Sequence, residues 1–430
     1  MDDPGGSRLR DRPRGRGGRP VARDDRVRLT ALEAPPPNPD PVPTVAVNPK
    51  GARRALSRHP WIYRADVAAL PPGLPNGEIV RVVDNRDRPL GRATWSERSQ
   101  IALRFVRWED EPVDDAFWAA RLAASIERRE RAGMTGPARR LVYGEADGWP
   151  GLVVDEYGDC LVVQTLTPAA AAREGPWTEL LVERFAPRAV VARNDLKVRR
   201  LEGLEAGVAV LHGEPPEPFP VTIGDRRFVV DVMGGQKTGA FLDQQRNWRA
   251  AARWVGDGGV ALDAFSGDGG FALHLAPLVE RVEAVEISEA AAARGRRNAE
   301  TNGIVNVEWR VANAFDRLHE LSAEGARFGA IVLDPPAFAK NRKSVAAARR
   351  GYKAINLRAI QCLEPGGILV TCSCSYHIDR EQFREIVAEA AADAGRTVEV
   401  LEVRTQAPDH PILLSVPETE YLKCLILRAQ

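Results

Sequence analysis

The stretch Leu262-Asp-Ala-Phe-Ser-Gly-Asp-Gly-Gly-Phe271 reads as a strand running through a glycine turn into a helix. The strand is Val260 to Ala264, and the helix begins in Ala272 to Ala276. Glycines at such a turn let the backbone approach a ligand, and the helix N-terminus favours a carboxylate. Asp263 lies near the end of this strand, and Glu286 lies near the end of the next, 23 residues later. An acid in that second position takes ribose hydroxyls. Gly267, Gly269 and Ala272 also satisfy the dinucleotide pattern GxGxxG/A, so a nicotinamide-dependent dehydrogenase is a rival on these residues alone.

Downstream, apolar strands recur at Val282 to Ile287, Val307 to Val311, Ala330 to Asp334, Gly367 to Cys372, Val398 to Val403 and Tyr421 to Leu427, with helices between most of them. This alternation from about Phe219 predicts a doubly wound, Rossmann-like α/β sheet whose ligands bind at the carboxyl ends of its strands. The fourth strand ends in Val332-Leu-Asp-Pro-Pro-Ala-Phe-Ala-Lys340, which puts Asp334 at that edge, followed by a loop stiffened by Pro335 and Pro336. A loop of fixed carbonyls beside an acid suits the edge of a nucleobase next to a methyl donor, and a dehydrogenase has no evident use for it. The fifth strand ends in Leu369-Val-Thr-Cys-Ser-Cys-Ser375. A thiol there can act as a nucleophile: addition at C6 of a pyrimidine makes C5 enamine-like and able to take a methyl group. Cys374 is the candidate. Cys372, two residues earlier and on the same face of an extended strand, reads as structural.

Upstream, residues 1 to 44 are rich in Arg, Pro, Gly and Asp without apolar periodicity and read as a disordered tail. Residues 45 to 110 hold short alternating stretches at Thr44 to Val47, Glu78 to Asp84, Gly91 to Trp95 and Ile101 to Trp108, with a short helix expected over Gly51 to Trp61: a small β-rich domain. Residues 111 to 216 read as a central α+β domain and 217 to 430 as the doubly wound domain. Hydrophobic residues make up 44% of the chain and charged residues 28%, ordinary for a globular protein. No apolar run is long enough to cross a membrane and the first residues lack a signal core, so the chain is expected to be cytoplasmic. The five cysteines show no zinc spacing, and no metal is expected. Net charge is only +1, but Val45 to Asp110 carries 12 Lys/Arg against 7 Asp/Glu, and Ala337 to Arg358 carries 7 against none. Such patches attract phosphate backbones. Lys340 and Lys353 in the second run are therefore candidate substrate contacts. His410, in Asp409-His-Pro411, reads as loop-ordering.

The run Gly235-Gln-Lys-Thr-Gly-Ala-Phe-Leu-Asp-Gln244, with Phe265-Ser, Gly269-Gly-Phe271, Asp334-Pro-Pro-Ala-Phe338, Gly351-Tyr-Lys353, Ser373-Cys-Ser375 and Asp409-His-Pro411, resembles the bacterial PUA-containing 23S ribosomal RNA cytosine-C5 methyltransferases over roughly residues 45 to 430. The resemblance implies a PUA RNA-binding domain, a central domain and a Rossmann-like domain that uses S-adenosylmethionine. It implies Cys374 as nucleophile and Asp334 as the group that holds cytosine and favours protonation at N3. It puts Gln236, Phe241 and Asp243 in the cofactor pocket with Asp263, Phe265, Gly267, Gly269 and Glu286. The partner implied is ribosomal RNA, with a homodimer left open. Four positions depart from relatives: Gly267-Asp268 replaces Tyr-Thr, Asn313 replaces an acid at the third strand's end, Cys372 replaces an aromatic, and Pro335-Pro-Ala337 stands where many RNA cytosine-C5 methyltransferases have Pro-Cys. Asn313 can still meet an adenine amino group through its carbonyl oxygen. Two further readings remain: N-methylation of a guanine or adenine in ribosomal RNA, which needs no thiol, and a non-catalytic RNA-binding assembly factor.

Overall fold

The computed structural model describes residues 42–256, 258–339 and 341–430. Three main sheets follow one another along these residues. The first has six strands in the order Trp61–Tyr63, Ile101–Arg107, Pro89–Trp95, Ile79–Val83, Thr44–Val47, Val67–Ala69. Its helix is Pro49–Leu56, not Gly51 to Trp61: Asn48 caps it, accepting from the backbone N–H of Lys50 and Gly51, and Trp61 begins a strand instead. The second sheet has five strands, ordered Val208–Gly213, Ala189–Arg193, Cys160–Thr165, Leu152–Tyr157, Ala138–Tyr143. Helices Asp115–Arg131 and Glu174–Phe185 pack on it through Trp118, Trp149 and Trp177, whose rings cluster.

The third sheet has seven strands: β1 (Val260–Asp263), β2 (Arg281–Glu286), β3 (Val307–Val311), β4 (Phe328–Leu333), β5 (Leu363–Ser373), β6 (Val398–Arg404) and β7 (Lys423–Ala429). Their order is β3-β2-β1-β4-β5-β7-β6. The first five are parallel, and β7 inserts antiparallel between β5 and β6. β4 lies inside the sheet, and its run Phe-Gly-Ala-Ile-Val-Leu is buried at all but one position, as a strand covered on both faces requires. Six helices accompany the sheet: α1 (Gln245–Trp254), α2 (Gly270–Leu275), α3 (Glu289–Thr301), α4 (Ala314–Ala323), α5 (Val345–Cys362) and α6 (Arg380–Asp393). Strand order reverses between β1 and β4, which opens a crevice at their carboxyl ends.

An antiparallel hairpin, Phe219–Ile223 with Arg226–Val230, precedes the first parallel strand where sequence reading expected alternating strands and helices. Its two-residue Gly224-Asp225 turn is the signal for it, with Gly224 at φ 63°. The hairpin buries Val221, Ile223, Phe228 and Val230 in one core with Tyr157, Val162 and Val191 of the second sheet and with Trp248 of α1 and Phe271 of α2, which cover the third. The central sheet is thus joined to the seven-stranded sheet through a shared core.

Candidate active site

The turn quoted first closes as its glycines predict. Gly267 and Gly269 sit at φ 55° and 98°, and a Cβ on Gly270 would stand 2.5 Å from the Trp248 ring. Asp263 secures the turn from below: its Oδ2 accepts from the backbone N–H of Ala272 at 2.9 Å, while its buried Oδ1 has no donor among the described residues. The Gly267 N–H donates to Glu286 Oε2 at 3.0 Å and the Ser288 N–H to Oε1 at 2.8 Å, so the second acid is fixed against the first turn.

Above this turn lies a cavity of about 510 Å³. One wall is the loop between the hairpin and α1, which supplies Gln236, Lys237, Phe241, Asp243 and Gln244. The floor is Phe265, Gly267 and Glu286; the far side is Asn313 and Phe315; and the fourth-strand loop contributes Asp334, Pro335, Pro336 and Phe338. Cys374, directly after β5, and Tyr421, ahead of β7, complete it. Eleven expected residues therefore meet around one space: Gln236, Phe241, Asp243, Phe265, Gly267, Glu286, Asn313, Asp334, Pro335, Pro336 and Cys374. Asp263 and Gly269 do not line it; they shape the turn beneath. Lys340 lies outside the described residues. Lys353 is not brought to the cavity: its ammonium pairs with Asp393 at 2.9 Å and Glu389 at 3.6 Å on α6, and its neighbour Arg349 pairs with Glu389 and Glu385. The basic run is thus partly neutralised by a facing helix. Asn313 caps α4, its Oδ1 accepting from the Phe315 N–H at 2.9 Å, so one lone pair of the carbonyl expected to meet adenine is already engaged.

The cavity is electrostatically tense. Burial, then the charge of Asp243, raises Asp334 to about 7, against the pull of Lys237 and Gln244. Burial, then Asp334, lifts Asp263 to about 8. Burial also pushes up Asp243, but Lys237, His410 and the Tyr421 hydroxyl outweigh it and hold this carboxyl well below the usual range. Lys237 reaches Asp243 at 2.9 Å and Tyr421 Oη donates to it at 2.7 Å. Cys374 is raised to about 11 by burial, then by Asp334 and Asp243, with Lys237 and Lys423 opposing. Its Sγ donates to the Pro335 carbonyl at 3.7 Å.

Ser375 fixes the thiol's turn, its Oγ accepting from the Ala339 N–H at 3.0 Å and lying 3.0 Å from Tyr352 Oη. In Gly351-Tyr-Lys353, the inward residue is therefore the tyrosine. Cys372 is fully buried, opposite Cys424 in the antiparallel register, and does not reach the cavity wall: β5 ends at Ser373, so the shared face expected for the two thiols stops there.

Sequence reading assigned no role to Lys237, Gln244, Tyr421 or Lys423. The first two lie inside the quoted run 235–244; the last two interrupt an otherwise apolar strand start. The central sheet also takes a part that no motif announced. Thr238 Oγ1 donates to Asp155 Oδ2 at 2.5 Å, Tyr157 Oη accepts from the Ala240 N–H at 3.1 Å, and Arg140 grips Asp155 through two bonds of 2.8 Å. Gly239, at φ 146°, lets the loop pass; a Cβ there would stand 2.7 Å from Val230. Asp409 ties the far side, accepting from the Arg140 N–H at 2.9 Å and from His410 Nδ1 at 2.9 Å. His410 is thus loop-ordering, as read.

The residues present fit an adenosyl-methionine ligand: a cavity of suitable size, a carboxylate at the end of the second strand, aromatic walls and a buried carboxylate oxygen at the turn without a donor among the described residues. A PUA-like domain model matches residues 45–108, and an S-adenosylmethionine-dependent methyltransferase model matches residues 139–428. "Ribosomal RNA large subunit methyltransferase I" of Aeromonas salmonicida is 39% identical over 391 residues, 89% of this chain and 98% of the relative. The protein of the same name from Shewanella denitrificans is 39% identical over 390 residues, 88% and 97% of the two chains. A SAM-dependent methyltransferase from Streptococcus mutans shares the fold, with a TM-score of 0.75 at 17% identity, covering 90% of this chain and 99% of that one.

Proposed function

The chain belongs to the S-adenosylmethionine-dependent methyltransferases that carry a PUA-like domain, and on that premise we propose that it methylates C5 of a cytosine in 23S ribosomal RNA of the large subunit through a covalent bond between Cys374 and C6. The observation that carries this reading is the half-buried Cys374 thiol lining the same cavity as Asp334. Bound S-adenosylmethionine supplies an electrophilic methyl group. Glu286 would take its ribose, Phe265 and Phe315 would flank its adenine, and Gln236 with Asp243 would face its methionine end, above the turn that Asp263 secures.

On the substrate side, Pro335 and Pro336 would hold the base edge. Asp334, at about 7, carries a proton on a large fraction of molecules at neutral pH and can give it to N3. As it does so, Cys374 gives its Sγ proton to water and the freed sulfur pair forms the Sγ–C6 bond, leaving C5 enamine-like. After C5 has been methylated, C5 gives its proton to water, that pair forms the C5–C6 double bond as Sγ leaves with its own pair, and N3 returns its proton to Asp334, which restores the aromatic ring and the enzyme. A base inside a helix must be extruded to reach this depth, so an unpaired or loosened nucleotide is the expected substrate. Arg53, Arg54 and Arg58, on and just after the first helix, have no carboxylate partner among the described residues and are suited to grip the RNA backbone.

One feature favours a second reading, N-methylation of a guanine or adenine: burial, then the charges of Asp334 and Asp243, push the Cys374 thiol up and disfavour its thiolate. Nucleoside mass spectrometry of ribosomal RNA separates the two, comparing a strain lacking the gene with the same strain carrying wild type or Cys374→Ala. Loss of one 5-methylcytosine, restored by wild type and not by Cys374→Ala, is expected. A missing methylguanosine or methyladenosine restored equally by both would overturn the cytosine assignment. Unchanged nucleosides together with no binding of S-adenosylmethionine would favour a non-catalytic assembly factor.

A further inference from the structure

Lys423 is the first residue of β7, opposite Ser373 in the register, and only 3% of it is exposed. Its ammonium donates to the carbonyl of Ser375 at 2.7 Å and to that of Tyr421 at 2.9 Å. A lysine has three donors and a full positive charge, and two neutral carbonyls satisfy neither completely. No carboxylate lies within ion-pairing distance of it among the described residues. A buried cation without an anion is costly, and a strand start that needed only packing would be better served by Leu or Met. The site does contain a group that becomes an anion, the Cys374 thiol, one residue before the carbonyl that Lys423 holds.

We propose that Lys423 is a positioning residue that supplies the counter-charge of the nucleophile, its buried ammonium stabilising the Cys374 thiolate while fixing the turn that carries it. This rests on the reading of Cys374 as nucleophile. The groups that face the thiol come from each surrounding element. Asp334 after β4 and Asp243 in the 231–244 loop oppose ionisation; Lys237 in that loop and Lys423 on β7 favour it. Lys237 is already paired with Asp243, which leaves Lys423 as the cation without a carboxylate of its own. Around Lys423, burial lowers its pKa to about 8, and Cys374, Glu420 and Asp379 push the other way. The lysine and the thiol therefore titrate as a linked pair, in which each ion makes the other easier to form. The backbone tie has a second consequence: Tyr421, whose carbonyl Lys423 holds, donates its hydroxyl to Asp243. One side chain thus connects the nucleophile's turn to the cofactor-side loop.

The test uses the full chain and no RNA. Cys374 is the half-buried cysteine among five, the other four being buried, so iodoacetamide reaches it selectively. Alkylation of the Cys374 peptide, which joins sulfur to carbon and releases iodide, is followed by mass spectrometry from pH 8 to 12 in wild type and Lys423→Met, the rates being fitted for the thiol's midpoint. The expected result is a midpoint raised by about one pH unit and alkylation about tenfold slower at pH 8 in the variant. An unchanged midpoint in a folded variant overturns the proposal. The reciprocal experiment leaves Lys423 in place: in Cys374→Ala its Cε resonance should titrate at lower pH than in wild type, and superimposable curves would overturn the proposal even where Lys423→Met does not fold. A shifted midpoint without any Cys374-dependent 5-methylcytosine would retire the cytosine reading alone. An unchanged midpoint with such methylation would retire the role of the lysine alone.

Discussion

The cleft at the carboxyl edge of the seven-stranded sheet and the junction between the central sheet and the 231–244 loop are both rich in buried charge, but they handle it in opposite ways. In the junction every acid has a cation or donor: Arg129 grips Asp147 at 2.6 Å through both carboxylate oxygens, Arg140 grips Asp155, and Thr238 adds a third bond. Burial pushes Asp155 up, but Arg140 and Thr238 outweigh it and hold the carboxyl below its ordinary value. In the cleft, Asp334 raises the buried Asp263 and Asp243 raises the buried Asp334, and neither of the two raised acids has an ion-pair partner among the described residues. A satisfied network holds a loop in one place, whereas unsatisfied carboxyls remain poised to exchange protons. The junction is the scaffold that makes the tension in the cleft tolerable.

The sharpest way to break this comparison is Asp334→Asn. The amide cannot give N3 a proton, and methylation should fall about a thousandfold, within the range for a lost general acid. Stability should move the other way. A carboxyl raised to about 7 keeps its proton in the folded chain while the unfolded chain has lost it above about pH 4. The unfolded state then binds fewer protons, so this group's contribution to stability falls as pH rises from about 4 to about 7. Relative to wild type, Asp334→Asn should therefore gain stability across that window, which thermal melts at pH 5 and pH 8 would reveal. An equal difference at the two pH values would mean that Asp334 is not strained.

Arg140→Met tests the other region. Removing the cation leaves Asp155 buried without its main partner, and such a loss costs about 3–5 kcal/mol. The pH sign is reversed here. Asp155 is lowered in the folded chain, so its stabilisation is present above the unfolded value near 4 and disappears as pH falls through the lower folded value. Urea titrations should show the penalty in full at pH 7 and a much smaller one near pH 3. A penalty independent of pH would indicate that Arg140 acts by packing and not by charge.

The cleft was far more legible in the sequence than the junction, for a physical reason. Strand ends in a doubly wound sheet share one edge by topology, so Asp263, Glu286, Asp334 and Cys374 could be brought together from strand positions alone. The junction pairs residues far apart in sequence, such as Arg129 with the Asp409 carbonyl, and no local period encodes such a pair. Tyr421 and Lys423 were missed because β7 enters antiparallel between β5 and β6, which no pattern of alternation specifies. The Gly224-Asp225 turn and the Asn48 cap, by contrast, were readable and would have corrected the hairpin and the first helix.

Lys353 shows where charge counting needs a second helix. Positions 349 and 353 lie four apart on α5, and Glu385, Glu389 and Asp393 lie four apart on α6, so the two rows face each other as complementary stripes. The run without acids is thus partly neutralised from outside itself. Exposed pairs of this kind contribute about 0–1 kcal/mol, and a lysine so engaged has little left for a phosphate. Lys353→Ala should leave thermal stability nearly unchanged. It should also leave the dependence of RNA binding on salt unchanged, whereas loss of one true phosphate contact lowers the slope by nearly one. Filter binding of 23S RNA across a series of salt concentrations distinguishes the two. A lowered slope would return Lys353 to the substrate side and make α6 a competitor for it.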